Sequence, residues 1–470
     1  MAHTDIGDSM AQVYPFPAYR YNASRVSFDR VLTQPYDKIS PAAQEKYYAA
    51  DPHNLITVEK GRVLPDDGPQ HNVYTRAAEA LESWIRDGIV VKEAEPSLYA
   101  YTQEYTVPGT DQRRTRRGFI GAGKLEEYSA GVVFRHEHTL SGPKADRLEL
   151  LRHTRTHTGQ LFMLYSDEQR RVDAVLAEVE AASSPATELC DEYGVVHRLW
   201  VVSEPAKVAA IQEAMASLKL VIADGHHRYE TALNYRNQRR SERSAAAGGS
   251  HPAAGGEDAP RAREPYELAM MTFVNTRSEG LTILPTHRVV ANLPDFSWTS
   301  MRRYLEPWFA AEAFSFADEG AKAEARGQFL RRLVEARGLR AIGVYPAAAT
   351  GKQAFYVLTL RPGADLSLLL PNVSPLQREL DVVLLHEGIL EPALGITPQA
   401  VTAEKNLTYE REAAAALDAV DRGAAQVAFL LNACDVEQVV HIATSGEVMP
   451  QKSTDFYPKL LSGITMYRVD

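Results

Sequence analysis

The segment Val221-Ile222-Ala223-Asp224-Gly225-His226-His227-Arg228-Tyr229-Glu230 sets an apolar run directly before a dense series of polar side chains. The apolar part predicts a short buried strand, 220–223, and the part after Gly225 predicts a helix over 226–238. Asp224 is a good N-cap type, and Gly225 allows a tight turn without a Cβ clash. Such a junction points unpaired backbone N–H groups at whatever lies over it, and the helix dipole favours an anion there. Arg228 adds a guanidinium fork that matches phosphate oxygens. His226 and His227 can donate hydrogen bonds and can carry a proton near neutral pH. Asp224, Gly225, His226, His227 and Arg228 are therefore expected to hold a phosphate, with the two histidines also candidates for proton transfer. A metal reading stays open, because His226 and Glu230 lie one helical turn apart. No third ligand follows nearby in sequence.

A second polar cluster is Arg135-His136-Glu137-His138, followed by Lys144, Asp146 and Arg147. If 132–138 is extended, His136 and His138 face one way and Glu137 the other. His136 and His138, with Glu230, form a possible metal set. Lys144 and Arg147 are candidate phosphate ligands, and Glu137 is a candidate acid–base group. Pro35-Tyr36-Asp37-Lys38 is a loop carrying an acid and a base. Phosphoryl transfer to a hydroxyl needs a carboxylate to take the proton, so Asp37 competes with Glu137 for that role. Lys452-Ser453-Thr454 offers an ammonium and two hydroxyls suited to phosphate, without the glycine-rich lead-in of a Walker loop. Thr286-His287-Arg288 is a further basic segment. His386-Glu387 lies on an apolar helix and reads as core or capping.

The elements that must position these residues alternate between strands and helices. Strands are expected at 55–58, 97–107, 117–125, 161–165, 195–202, 220–223, 281–284, 339–345, 354–360 and 426–431. The Pro108-Gly109-Thr110 turn makes 97–125 a hairpin. Helices are expected at 73–87, 172–182, 206–218, 226–238, 320–337, 380–390 and 409–423. The mixture predicts an α+β chain. Ser241–Pro265 is rich in Ala, Gly, Ser and Pro and reads as a flexible surface insertion. It divides an expected N-terminal core, 1–240, from an α+β C-terminal region, 266–470.

At 470 residues the chain exceeds one hydrophobic core. Its formal charge of −10 argues against wholesale binding to DNA or anionic membranes, yet permits a small basic pocket for an anionic metabolite. Cys190 and Cys434 build no disulfide framework or thiolate zinc site. No secretory leader or membrane-length apolar run is visible, which predicts a cytoplasmic protein. Oligomeric state is not legible.

The run from Ala223 to Ala232 resembles the signature of the bacterial and archaeal family called domain of unknown function 1015. The resemblance extends over nearly the whole chain. It includes Gln34–Ser40, Arg135–Thr139, Gly142–Arg147, Leu284–Arg288 and Met449–Thr454. The 241–265 insertion departs from the family pattern. The Asp-Gly-His-His-Arg turn is also similar to the phosphate-binding motif of the ParB/sulfiredoxin superfamily. That superfamily includes an archaeal kinase of free serine, whose motif matches intact. The resemblance implies a ParB/sulfiredoxin-like core with an additional α+β C-terminal domain. The sulfiredoxin cysteine would fall at His226, which excludes that redox chemistry.

The resemblance implies a small-molecule phosphotransferase or phosphatase acting on a phosphorylated metabolite. Serine or phosphoserine, with ADP or ATP and Mg2+, is the favoured combination. Two other classes stay open: a nucleotide-binding, ParB-like switch without turnover, and a metal-dependent hydrolase.

Overall fold

The computed structural model describes residues 10–137, 139, 141–246, 264–347, 353–402 and 405–470. Its chain divides into two units: Met1–Thr282 with Pro458–Asp470, and Ile283–Tyr457.

The first unit is built on a nine-stranded mixed sheet. Its strands are β1 (Val13–Tyr14), β2 (Leu98–Thr106), β3 (Arg113–Lys124), β4 (Val133–Phe134), β5 (Leu161–Tyr165), β6 (Thr187–Cys190), β7 (Val196–Val202), β8 (Leu220–Asp224) and β9 (Leu268–Asn275). They run in the order β4-β8-β5-β9-β3-β2-β7-β6, with β1 paired to β3. The long β2–β3 hairpin forms as expected, in register from Tyr99↔Ile120 to Thr106↔Arg113. β8 runs parallel to β4 and antiparallel to β5, where the register shifts between Ile222 and Asp224.

Seven helices matter to the site: α1 (Pro41–Ala50), α2 (Ile56–Glu59), α3 (Val73–Arg86), α4 (Ser141–Thr154), α5 (Arg171–Ala182), α6 (Pro205–Met215) and α7 (His226–Ala246). Apolar faces of α5, α6 and α7 pack on the sheet. Leu176, Ile211, Met215 and Tyr229 meet Phe119, Met163, Ile222 and Phe273 in one core. Full burial of side chains like these stabilises by roughly 1.5–3 kcal/mol each. The last strand, Tyr467–Arg468, pairs antiparallel with Thr156–His157 and ties the chain's end into this unit.

The second unit carries a six-stranded sheet. Its order is Phe309–Phe316, Gln353–Leu360, Ile342–Pro346, Val427–Leu431, His287–Val290, Leu407–Glu410. Helices Glu319–Glu335 and Ala413–Asp421 cover it through Phe329, Leu333 and Leu417.

Four expectations are corrected. Residues 55–58 form the turn of helix α2 rather than a strand, despite the β-branched Ile56-Thr57-Val58. The expected helix at 409–423 begins only at Ala413, because Leu407–Glu410 pairs with His287–Val290. α7 runs on to Ala246, so the first residues of the expected insertion are helical, and 247–263 lie outside the described residues. The expected division at 240 and 266 differs from the one found, because β9 inserts between β5 and β3 and residues 458–470 return to the first unit. Among the described residues, no helix is long and apolar enough to cross a membrane.

Candidate functional site at the start of helix α7

β8 is buried from Leu220 to Ala223 and delivers Asp224 to its exposed end. Gly225 follows at φ +96°, a conformation that side chains rarely adopt. A Cβ there would also stand 3.1 Å from both the Arg228 guanidinium and Leu161 Cδ2. The turn closes when Tyr229 N donates to Gly225 O at 2.9 Å. Asp224 ends the strand, and its carboxylate accepts from Lys459 Nζ at 2.9 Å instead of capping the helix as expected. Burial alone would raise the Asp224 pKa. Lys459, Arg228 and Lys38 outweigh it and hold the carboxyl well below the usual range.

His226 is buried, and its ring meets His136 edge-on with centroids 4.7 Å apart. His136 Nδ1 lies 2.8 Å from Ile222 O, an atom that only accepts, so Nδ1 carries the hydrogen. Burial pushes the His136 pKa down to about 4. Burial, His136, His227 and Arg135 push His226 well below its ordinary value, against a smaller opposing pull from Asp224. Both rings are therefore neutral at pH 7. This corrects the expectation that His226 titrates near neutrality. His226 Nε2 is buried and has no hydrogen-bond partner among the described residues.

Arg228 Nη1 donates to Gln160 O, which fixes one arm of its guanidinium. Beside it comes the Tyr36–Lys38 turn, held by Lys60 Nζ donating to Tyr36 O (3.1 Å) and Ile39 O (2.7 Å). The Tyr36 phenol is pushed up to about 12 by burial, with Arg228, Arg147 and Asp224 all close enough to act on it. Arg147 lies over the Tyr36 ring at 4.3 Å and donates to Asp146 Oδ2 and to Glu59 O. Asp37 is half-exposed, with Lys38 Nζ 3.9 Å from its carboxylate.

Glu137 reaches the same end of the sheet. β4 pairs parallel with β8 through Val133↔Leu220 and Val221↔Phe134, and that register, continued, carries Glu137 to the level of Asp224. The structure thus brings together Asp37, Glu137, Arg147 and the Asp224–Arg228 turn. Lys144 is engaged differently, donating to Glu230 Oε2 at 2.8 Å and to Thr139 Oγ1 at 3.1 Å. Burial would raise the Glu230 pKa, but the bonds from Lys144 and Thr139 and the nearby Arg135 hold it down. Glu230 is therefore an ion-pair partner, against the metal-ligand expectation. His138 lies outside the described residues. Among those described, no group of three His, Cys, Asp or Glu could hold a metal ion.

Lys452, Ser453 and Thr454 belong to the second unit. There Lys452 O accepts from Arg288 Nη2 at 3.1 Å, and Ser453 Oγ donates to Pro450 O. Arg288 is buried and donates to His386 Nε2 at 3.1 Å, so Thr286–Arg288 and His386 build that unit's interior.

Sequence reading missed Lys459, Tyr36, Glu59 and Arg116. Arg116 is buried over Phe162 and donates to Gln103 Oε1 (3.0 Å) and to Pro458 O. Gln103 Nε2 in turn donates to Lys459 O at 2.8 Å. This polar chain fixes the backbone from which Lys459 reaches Asp224. Tyr36 had a signal, since it sits inside the Pro-Tyr-Asp-Lys segment. Lys459 had none, because a lone lysine after Tyr457-Pro458 carries no periodicity or spacing.

The family model for a protein of unknown function, DUF1015, matches residues 13–383. The chain belongs to that family. No curated protein matches it. Among solved structures, it is similar to a conserved hypothetical protein from Pyrococcus furiosus, with 12% identity and a TM-score of 0.29, over 69% of this chain and 87% of that one. It is also similar to a free serine kinase in complex with AMP, with 13% identity and a TM-score of 0.29, over 69% of this chain and 83% of that one. A variant of free serine kinase in complex with ADP gives 9% identity and a TM-score of 0.31, over 69% and 84%.

Proposed function

We propose that the Asp224–Arg228 turn holds the phosphate of a small phosphorylated metabolite, and that the protein moves a phosphoryl group between a nucleotide and a hydroxyl-bearing small molecule. One observation carries this reading. Lys38, Arg147, Arg228 and Lys459 converge near a single helix start in a chain whose net charge is −10. Local cations against an acidic background serve an anionic ligand rather than a polymer-wide contact. The helix dipole and the amides after Gly225 add to the same field.

In the transfer step the acceptor hydroxyl oxygen attacks the terminal phosphorus. Its proton passes to the Glu137 carboxylate, and the bond from phosphorus to the bridging oxygen of the nucleotide breaks. Arg228 and Lys459 neutralise the charge that shifts onto the departing and transferred oxygens. The neutral His226 offers its uncommitted Nε2 as a hydrogen-bonding group. Free serine is the favoured acceptor, by the likeness of the Asp-Gly-His-His-Arg turn to that of the free-serine kinase. Magnesium commonly binds such sites through one or two carboxylates, phosphates and water. The half-exposed Asp37 is the residue suited to supply a carboxylate to it.

Phosphorus NMR of the protein with serine and ATP, and with phosphoserine and ADP, tests the reading. The expected result is a new phosphomonoester signal with matching loss of the nucleotide signal. Nucleotide binding with no phosphate moved to any common hydroxyl acceptor would leave a binding switch instead.

A further inference from the structure

Beside the turn lies a cavity of about 520 Å³, bounded by α1, α2, α3 and α4. Its walls combine apolar Val58, Val73 and Leu150 with the rings of Tyr36 and Tyr74. Val63 and Leu64 stand at its mouth, with Val63 77% exposed. Gly61 lets two walls close, because a Cβ there would stand 2.8 Å from Val73 Cγ2. A narrow space lined by Arg228, His157 and Thr158 shares Glu59, Arg147 and Leu150 with this cavity. The cations of the turn and the apolar chamber therefore adjoin across Glu59 and Arg147.

We infer that the cavity takes the nucleoside end of a nucleotide whose phosphates lie at the Asp224–Arg228 turn, an assignment that rests on the phosphate reading above. Three features select this class. The volume falls in the range of ligand pockets, roughly 300–1,000 Å³, and far exceeds what free serine fills. Two tyrosines and three aliphatic side chains suit a flat, uncharged ring system. Between the chamber and the cations stand two carboxylates. Glu59 accepts from Thr158 Oγ1 and Ser462 Oγ, and Asp146 accepts from Tyr74 OH at 3.0 Å. Carboxylates repel free phosphate but accept hydrogen bonds from sugar hydroxyls, and each oxygen retains further acceptor capacity. Cations, carboxylates and apolar rings thus follow one another in the order phosphate, ribose, base.

The assignment is tested by calorimetry of the full chain with ADP, adenosine and pyrophosphate. Val73→Trp fills the chamber. It is expected to weaken ADP and adenosine at least tenfold and leave pyrophosphate within twofold of wild type. Arg228→Ala is expected to weaken ADP and pyrophosphate and leave adenosine unchanged. If Val73→Trp does not fold, Leu64→Asp at the exposed mouth gives the same readout. ADP binding unchanged in a folded chamber variant would overturn the nucleoside assignment and leave the phosphate site standing. Pyrophosphate binding unchanged in Arg228→Ala would overturn the phosphate reading itself.

Discussion

Lys459 Nζ lies 2.9 Å from Asp224 Oδ2, although 235 positions separate the two residues in the chain. Lys459 is 10% exposed and Asp224 27%, so the pair is largely withdrawn from water. Breaking one partner of such a pair leaves a charge without compensation. Lys459→Met is expected to cost about 3 kcal/mol in chemical denaturation and to weaken pyrophosphate binding at least tenfold. Unchanged stability and affinity would remove Lys459 from the site.

Gly225→Ala should act on geometry alone. The substitution forces a Cβ onto a residue at φ +96° and into Arg228 and Leu161. A loss of roughly 1–3 kcal/mol is expected, with a matching fall in anion affinity because the Arg228 fork must shift. Urea midpoints measured with and without pyrophosphate check both parts.

The buried His136 gives stability a defined pH dependence. Burial lowers its pKa from 6.5 to about 4. Below 6.5 the unfolded chain takes up a proton that the folded chain refuses until about 4. The contribution is therefore whole above 6.5 and is lost as pH falls toward 4, up to ~3 kcal/mol. Denaturant midpoints taken from about pH 7 down to about pH 4.5 should fall, and His136→Asn should flatten the slope. A flat wild-type profile would contradict this account.

Arg116→Met tests the support beneath Lys459. Burial pushes the Arg116 pKa down to about 10, still charged at neutral pH, and its guanidinium holds Gln103 and Pro458 O. Methionine fills similar space without the donors. About 3 kcal/mol of stability is expected to go, because acceptors stay buried unpaired. Pyrophosphate affinity should fall in protein that remains folded, which a purely structural role would not produce.

Much of the site was legible. An apolar strand, a glycine and a polar helix start are local features, and the structure keeps them at Leu220–Asp224, Gly225 and His226–Ala246. The β2–β3 hairpin was equally readable, since its turn residues and alternation sit within one short stretch. The identity of each side chain's partner was not. Lys144 looked like a phosphate ligand and pairs with Glu230. Glu230 looked like a metal ligand for the same reason, that spacing fixes a face but not what faces it. Residues 55–58 failed differently: a β-branched run favours a strand, but Leu55 and Ile56 are fully buried and the chain turns there into α2. Long-range pairing decided these cases, and one sequence does not display it.

The return of residues 458–470 to the first unit has a consequence for synthesis and breakage. During translation, everything from Met1 to Thr282 emerges before Lys459 exists, and the second unit must follow in between. The Asp224 carboxylate therefore spends that interval without its ammonium. A product cut anywhere ahead of Pro458 would keep the whole Asp224–Arg228 turn and still lack the cation that neutralises it. Function in this chain is thus withheld until the ribosome has nearly finished, and a single late nick is enough to take it away.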